Sequence, residues 1–343
     1  MRIAIVNDLA IAREALSRAL DEGGYETAWI AIDGNEAVTK AHKDRADLIL
    51  MDLVMPNLDG AAATKQIMKS ASCPILVVTA SVGANSELVY EAMGNGALDA
   101  TTTPHVGPDG IVHAETLLKK IEQIGLITGK LKGEQASWVT RAPFAGKCPT
   151  HPPFLAMGSS TGGPQALATI LGALPADFPA VIGIVQHVDT EFAPGLAEWL
   201  DQRTELAVSI AQPKQHARPG HVYLAAGNEH LRVDSIGRFI YTEEPLTAIN
   251  RPSIDILFKS LAYAYPRPGC AVLLTGMGRD GAEGLKAMRD SGWHTLAQDK
   301  ASSIVYGMPK AAVQADAVIE VLPLKKIAKA IRSFFISIEE ETA

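Results

Sequence analysis

Short apolar runs suited to buried strands alternate with amphipathic segments over the first third of the chain. Residues 3–6, 28–32, 48–51, 75–78 and 98–102 are the strand candidates. Between the first two, Ile11, Ala15, Leu16 and Leu20 recur at the spacing that lines one face of a helix. Five strands alternating with helices predict a doubly wound parallel sheet covered on both faces. The pattern dissolves over residues 123–151, where the Gly129-Lys-Leu-Lys-Gly133 run and the prolines from Pro143 onward read as an exposed linker. A second alternation follows, with strands expected at 154–157, 181–186, 271–275, 295–297 and 318–321. Within it, residues 221–225, 230–233 and 238–241 are bounded by turn residues and predict inserted antiparallel strands. The fold class expected is therefore α/β in two domains, residues 1–122 and 152–343, the second doubly wound and mostly parallel with an inserted antiparallel hairpin.

Composition narrows the class without changing this picture. A chain of 343 residues exceeds one ordinary core, and 47% apolar with 20% charged residues suits a globular protein. No apolar run approaches the roughly 20 residues that span a bilayer. The opening residues are interrupted by Asn7 and Asp8 too early for a secretory signal. Cys73, Cys148 and Cys270 fit neither a disulfide framework nor a zinc site, so a cytoplasmic setting is expected. A net charge of -7 and the lack of a basic helix-turn-helix after the linker argue against nucleic-acid binding.

Two strands of the first domain end in carboxylates, Asp8 after the first and Asp52 after the third. Ligand sites in open parallel sheets gather at the carboxyl ends of strands, so these two should share a pocket suited to a hard cation such as magnesium. Thr79 ends the fourth strand with a hydroxyl able to bond a phosphoryl oxygen. Each aspartate taken alone reads more simply as a cap for the next helix or a solvated loop residue. Together with Met51-Asp52-Leu53-Val54-Met55-Pro56, they resemble the phosphoacceptor loop of response-regulator receiver domains, which are flavodoxin-like. That resemblance implies phosphorylation at Asp52, Mg2+ held by Asp8, Asp52 and the Val54 carbonyl, and phosphoryl contact by Thr79. Two positions depart from it: Asn7 stands where the family has a second acid, and Thr103 where it has a lysine.

The second domain begins with an apolar run that stops at Gly158-Ser159-Ser160-Thr161-Gly162-Gly163 and passes into a helical segment. Gly-x-Ser-x-Gly at a strand-to-helix turn leaves the Ser160 hydroxyl exposed on a sharp bend. His187 closes the apolar strand 181–186 after Gln186, and Asp280 lies in a Gly-rich loop after the strand 271–275. The strand-end rule predicts that Ser160, His187 and Asp280 meet on one sheet edge as nucleophile, base and orienting acid. Backbone amides of the Ser160-Thr161 turn and of Gly276-Met277-Gly278 would face the oxyanion. The plainer alternatives are a phosphate-binding turn at Ser160 and a structural role for a strand-end histidine. His216, His221, His230 and His294 serve as the structural comparison. The phosphate reading lacks both a P-loop lysine and the Gly-x-Gly-x-x-Gly spacing.

The three motifs, in this order and behind a receiver-like half, resemble the chemotaxis protein-glutamate methylesterases over nearly the whole chain. The resemblance implies hydrolysis of glutamate γ-methyl esters on the cytoplasmic domain of chemoreceptors, with deamidation of particular glutamines, and a histidine kinase as phosphodonor. The opening residues and Thr103 look more like the branch of Wsp-type surface-sensing pathways. Two other classes stay open on sequence alone: a phosphorylation-controlled interaction protein with a vestigial hydrolase, and a small-molecule esterase.

Overall fold

The structure, a computed structural model, describes residues 1–343 except 72, 81–85, 108–109, 129–150, 247, 249, 268 and 341–343. The described residues form two compact units, one on each side of 129–150.

The first unit runs β1 (Arg2–Val6), α1 (Ala10–Glu22), β2 (Glu26–Ala31), α2 (Gly34–Lys43), β3 (Leu48–Met51) and α3 (Gly60–Ser70). It continues through β4 (Ile75–Thr79), α4 (Ser86–Gly94) and β5 (Asp99–Thr102). A small antiparallel pair, β6 (His105–Gly107) and β7 (Gly110–Val112), precedes α5 (Ala114–Ile127). The five main strands pair in parallel in the order β2-β1-β3-β4-β5. One face buries Ile3, Ile5, Leu48, Leu50, Leu76 and Val78 against Leu16 and Leu20 of α1 and Leu117 and Ile121 of α5. Ile11 departs from expectation. It is 74% exposed, and the buried stripe of α1 is Ala15, Leu16, Ala19 and Leu20, beginning one turn further along the helix. Helix α5 passes the expected boundary at 122, and most of the expected linker, 129–150, lies outside the described residues.

The second unit opens with β8 (Phe154–Ser159), α6 (Gly163–Leu171), β9 (Val181–Gln186), α7 (Ala193–Asp201), β10 (Ala207–Ile210) and β11 (His221–Leu224). The hairpin strands β12 (His230–Val233) and β13 (Phe239–Thr242) lead into α8 (Ile254–Ala264) and β14 (Cys270–Leu273). Then come α9 (Ala282–Asp290), β15 (His294–Gln298), α10 (Met308–Gln314), β16 (Glu320–Leu322) and α11 (Leu324–Glu340). Seven strands pair in parallel in the order β10-β11-β9-β8-β14-β15-β16. The chain winds to one side from β8 and to the other from β14, so the switch in strand order falls between these two neighbours. The residues at 221–225 are a correction to the sequence reading. They form β11 inside the main parallel sheet, with Val222, Tyr223 and Leu224 buried, and only β12 and β13 make the antiparallel hairpin.

Candidate active site

Chain direction and strand order bring three loops to one edge of the seven-stranded sheet. Strand β8 is central, with β9 on one side and β14 on the other. Its last residue, Ser159, is in register with Gln186, the last of β9, so Ser160 and His187 leave the sheet side by side. On the other flank the Ser160 amide donates to the Thr275 carbonyl at 3.0 Å, extending the ladder by one residue. The turn then closes with the Gly163 amide on the Ser160 carbonyl at 2.7 Å. Gly162 has φ +78°, a left-handed conformation that a side chain would strain. Gly158 is needed for space, since a Cβ there would lie 2.3 Å from Ile254 Cγ2 at the start of α8.

Gln186 fastens this elbow to the histidine. Its Nε2 donates to the carbonyls of Ser160 and His187, both at 2.9 Å, and its Oε1 accepts the Ser159 hydroxyl at 2.6 Å. The side chain is buried, and its bond to the Ser159 hydroxyl lies wholly inside the protein.

His187 Nε2 lies 2.7 Å from Asp280 Oδ2. A carboxylate on Nε2 places the ring proton there and leaves the lone pair on Nδ1. The Ser160 hydroxyl has no hydrogen-bond partner among the described residues, and Ser160 is part-exposed.

Asp280 is held from the far side by the start of α8. Its Oδ1 accepts the Ser253 hydroxyl at 2.8 Å and the Asp255 amide at 3.0 Å, and its Oδ2 accepts the Ile254 amide at 2.8 Å. Ser253 occupies the N-cap position of α8, yet its hydroxyl makes no bond to its own helix. Asp280 therefore caps that helix from another part of the chain, where the helix dipole favours a negative charge. Burial works to raise the Asp280 pKa. The bond to and charge of His187 and the amides of Asp255 and Ile254 outweigh it and hold the carboxyl below the ordinary range. Asp255 shows the opposite balance. Burial and the charge of Asp280 push it well above that range, although its own carboxylate accepts the Gly284 amide at 2.6 Å.

The expected oxyanion amides divide into two groups. Those of Ser160 and Gly276 are committed, to Thr275 and to the Val305 carbonyl at 3.0 Å. Those of Thr161, Met277 and Gly278 donate to no acceptor among the described residues. Ser253 and His230 were not singled out by sequence. The sequence signal at Ser253 is a serine directly before an apolar helical run, an N-cap pattern, and His230 carries no signal that separates it from a structural histidine.

The second candidate pocket lies at the β1/β3 switch of the first sheet. The Asp52 amide donates to the Val6 carbonyl at 2.9 Å, which sets Asp52 beside the loop carrying Asp8. Helix capping, the plainer role for such aspartates, falls here to Asp33 and Asp59 rather than to Asp8 or Asp52. Asp52 is 8% exposed, and its pKa is raised to about 6, first by burial and then by the charge of Asp8, against the amides of Leu53 and Val54. Among the described residues neither carboxylate has an ion-pair partner. The Arg13 guanidinium bonds instead to the carbonyls of Asn7 at 2.9 Å and Asp8 at 2.8 Å. Two facing carboxylates without a cation fit a small hard metal ion. Asn7 is not free to add a ligand, since its Oδ1 accepts the Leu9 amide at 2.8 Å. Thr79 is buried at the end of β4, and its carbonyl accepts the Thr103 amide at 3.0 Å. The Thr103 hydroxyl is buried with no partner among the described residues, and Val54 stands exposed at the rim.

Comparison with known proteins covers both units. Residues 155–331 match the CheB methylesterase family, and residues 3–109 match the response regulator receiver domain. The protein-glutamate methylesterase/protein-glutamine glutaminase 2 of Cupriavidus metallidurans is 51% identical over 330 residues, which is 96% of each chain. The protein-glutamate methylesterase/protein-glutamine glutaminase of group 3 operon from Pseudomonas putida is 48% identical over 337 residues, 98% of this chain and 99% of that one. The crystal structure of the Thermotoga maritima CheB methylesterase catalytic domain aligns with a TM-score of 0.51 at 35% identity, covering 53% of this chain and 98% of that one. Matched in both halves and along its length, the chain belongs to the CheB methylesterase family and carries a response regulator receiver domain ahead of the methylesterase domain.

Proposed function

We propose that this protein hydrolyses glutamate γ-methyl esters on the cytoplasmic domain of chemoreceptors, and deamidates particular glutamines there, under control of its receiver domain. The observation that carries the proposal is the 2.7 Å bond between His187 Nε2 and Asp280 Oδ2, beside a serine on a glycine-flanked elbow. Ser160 is the nucleophile. His187 takes its proton on Nδ1, since Nε2 is engaged by Asp280, and Asp280 fixes that tautomer and balances the charge formed on the ring. The negative oxygen of the tetrahedral intermediate is received by the free amides of Thr161 and Met277. The imidazolium returns its proton to the departing methoxy oxygen, methanol leaves, and Ser160 carries the glutamyl acyl group. Water, activated by the same nitrogen, then releases the glutamate carboxylate. With glutamine as substrate the leaving group is ammonia.

In the receiver, Asp52 takes the phosphoryl group from a phosphohistidine of the partner histidine kinase. Asp8, Asp52 and the Val54 carbonyl would hold Mg2+, which when bound supplies the positive charge that phosphoryl transfer needs. Thr79 contacts the phosphoryl oxygen. The setting is the cytoplasm. Ser160→Ala is expected to abolish methanol release from a methylated chemoreceptor fragment, and unchanged release would remove Ser160 from its role. Absence of release by the wild-type protein, with phosphorylation at Asp52 intact, would favour an interaction protein with an idle hydrolase.

A further inference from the structure

Two residues outside the proposed triad form a chain that ends on its carboxylate, running from His230 through Ser253 to Asp280. His230, on β12, is fully buried, and its Nδ1 accepts the Ser253 amide at 3.1 Å. Ser253 is buried too, and its hydroxyl donates to Asp280 Oδ1. The other oxygen, Oδ2, is shared between the Ile254 amide and His187. The carboxylate plane is thus set by donors on both of its oxygens, and His187 meets an acceptor whose direction is already decided. We propose that Ser253 and His230 are positioning residues of the hydrolytic site, with His230 pinning the N-cap amide of α8 and Ser253 orienting Asp280 toward His187. This inference rests on the hydrolase reading above and adds two residues to it.

The chemistry of the chain is specific. A buried N-cap amide has no partner within its own helix and needs an external acceptor. An unprotonated imidazole nitrogen supplies one, and burial holds His230 below its ordinary pKa, on the neutral side. An N-cap serine ordinarily bonds to its own helix. Here that duty is given up, and the hydroxyl and two helix amides turn to one carboxylate. No group in the chain reaches the reacting atoms, so its effect is on geometry.

The test uses the full-length protein and methanol release from a chemoreceptor fragment methylated in vitro. Ser253→Ala is expected to lower kcat about tenfold with KM within twofold, the size of losing one hydrogen bond to a charged group. Ser253→Thr, which keeps the hydroxyl, should recover most of it. His230→Leu should act like Ser253→Ala, and His230→Asn, whose amide oxygen falls near the position of Nδ1, should restore turnover. In an Asp280→Asn background, Ser253→Ala should cost no more than a further twofold, because its effect runs through Asp280. The His187 Nε2 proton, followed by proton NMR, should shift or broaden in Ser253→Ala and return in Ser253→Thr. An unchanged resonance and an unchanged kcat in Ser253→Ala would overturn the proposal, as would a loss carried by KM alone. If the wild-type protein releases no methanol, the hydrolase reading fails, while the NMR signature still decides whether Ser253 orients the His187–Asp280 pair.

Discussion

Asp52 and Asp280 stand at comparable places, each near the switch in strand order of a parallel sheet, and their surroundings differ in sign. Asp280 accepts four donors, from Ser253, Ile254, Asp255 and His187, and its negative charge is stabilised despite burial. Asp52 accepts amides from its own loop, faces Asp8, and holds its proton up to about pH 6. Around Asp280 the donors are already in place, while the Ser160 hydroxyl and the amides of Thr161, Met277 and Gly278 stay open among the described residues. The edge at Asp52 leaves two carboxylates without an ion-pair partner among the described residues. Strand topology decides where a carboxylate goes, and the local donors decide whether its charge is stabilised there or disfavoured.

The largest effect that would sharpen this contrast is expected at Asp280. Asp280→Asn should lower kcat about a thousandfold or more, with KM little changed, because an amide no longer fixes the His187 tautomer. A fall in receptor affinity alone would make Asp280 a structural residue. Next is Gln186→Ala, which strips one buried and two part-buried bonds from the elbow. Urea unfolding should show a loss of about 2–4 kcal/mol, and no loss would mean that the elbow holds its shape unaided.

Asp52→Asn tests the other edge. A folded pKa raised from 3.8 to about 6 means that the charged form is disfavoured by folding. The stability contribution of this group is full below its unfolded pKa and is lost as pH rises through about 6. In metal-free buffer at pH 8, Asp52→Asn should therefore stabilise the receiver by up to about 3 kcal/mol, with the gain fading as pH drops below 6 and gone below about 4. A gain independent of pH would assign the effect to something other than the carboxylate. The smallest expected effect is that of Mg2+ itself. Millimolar Mg2+ should raise the receiver unfolding transition by about 1 kcal/mol in the wild type and not in Asp52→Asn. The methylesterase transition should not move, and an equal shift in both units would erase the contrast.

Much of this arrangement was legible in the residue pattern, because parallel strands carry their ends to one edge whatever lies between them. The strand-end rule groups Asp8 with Asp52, and Ser160 with His187 and Asp280; in the fold His187 bonds to Asp280, while the Ser160 hydroxyl has no partner among the described residues. The failures have physical causes. Residues 221–225 lie between turn-rich stretches, like the strand of a hairpin, but Val222, Tyr223 and Leu224 are buried and β11 is an interior parallel strand. A short apolar run does not say which neighbours it will have. β10 escaped notice because it is a short edge strand, exposed or half-buried along its length. Ile11 fits a helical face by spacing alone, whereas burial also requires a sheet beneath it. Ser253 and His230 lie 23 residues apart, and their contact is created only when the hairpin folds against α8.

The capping of α8 by Asp280 makes one carboxylate answer to two masters. Loosening the opening turn of that helix removes the donors that orient the carboxylate facing the imidazole. Heat or mild denaturant should thus silence the enzyme while its bulk spectroscopic signals still look native, and the temperature of that silencing would mark the local fraying of a single helical turn.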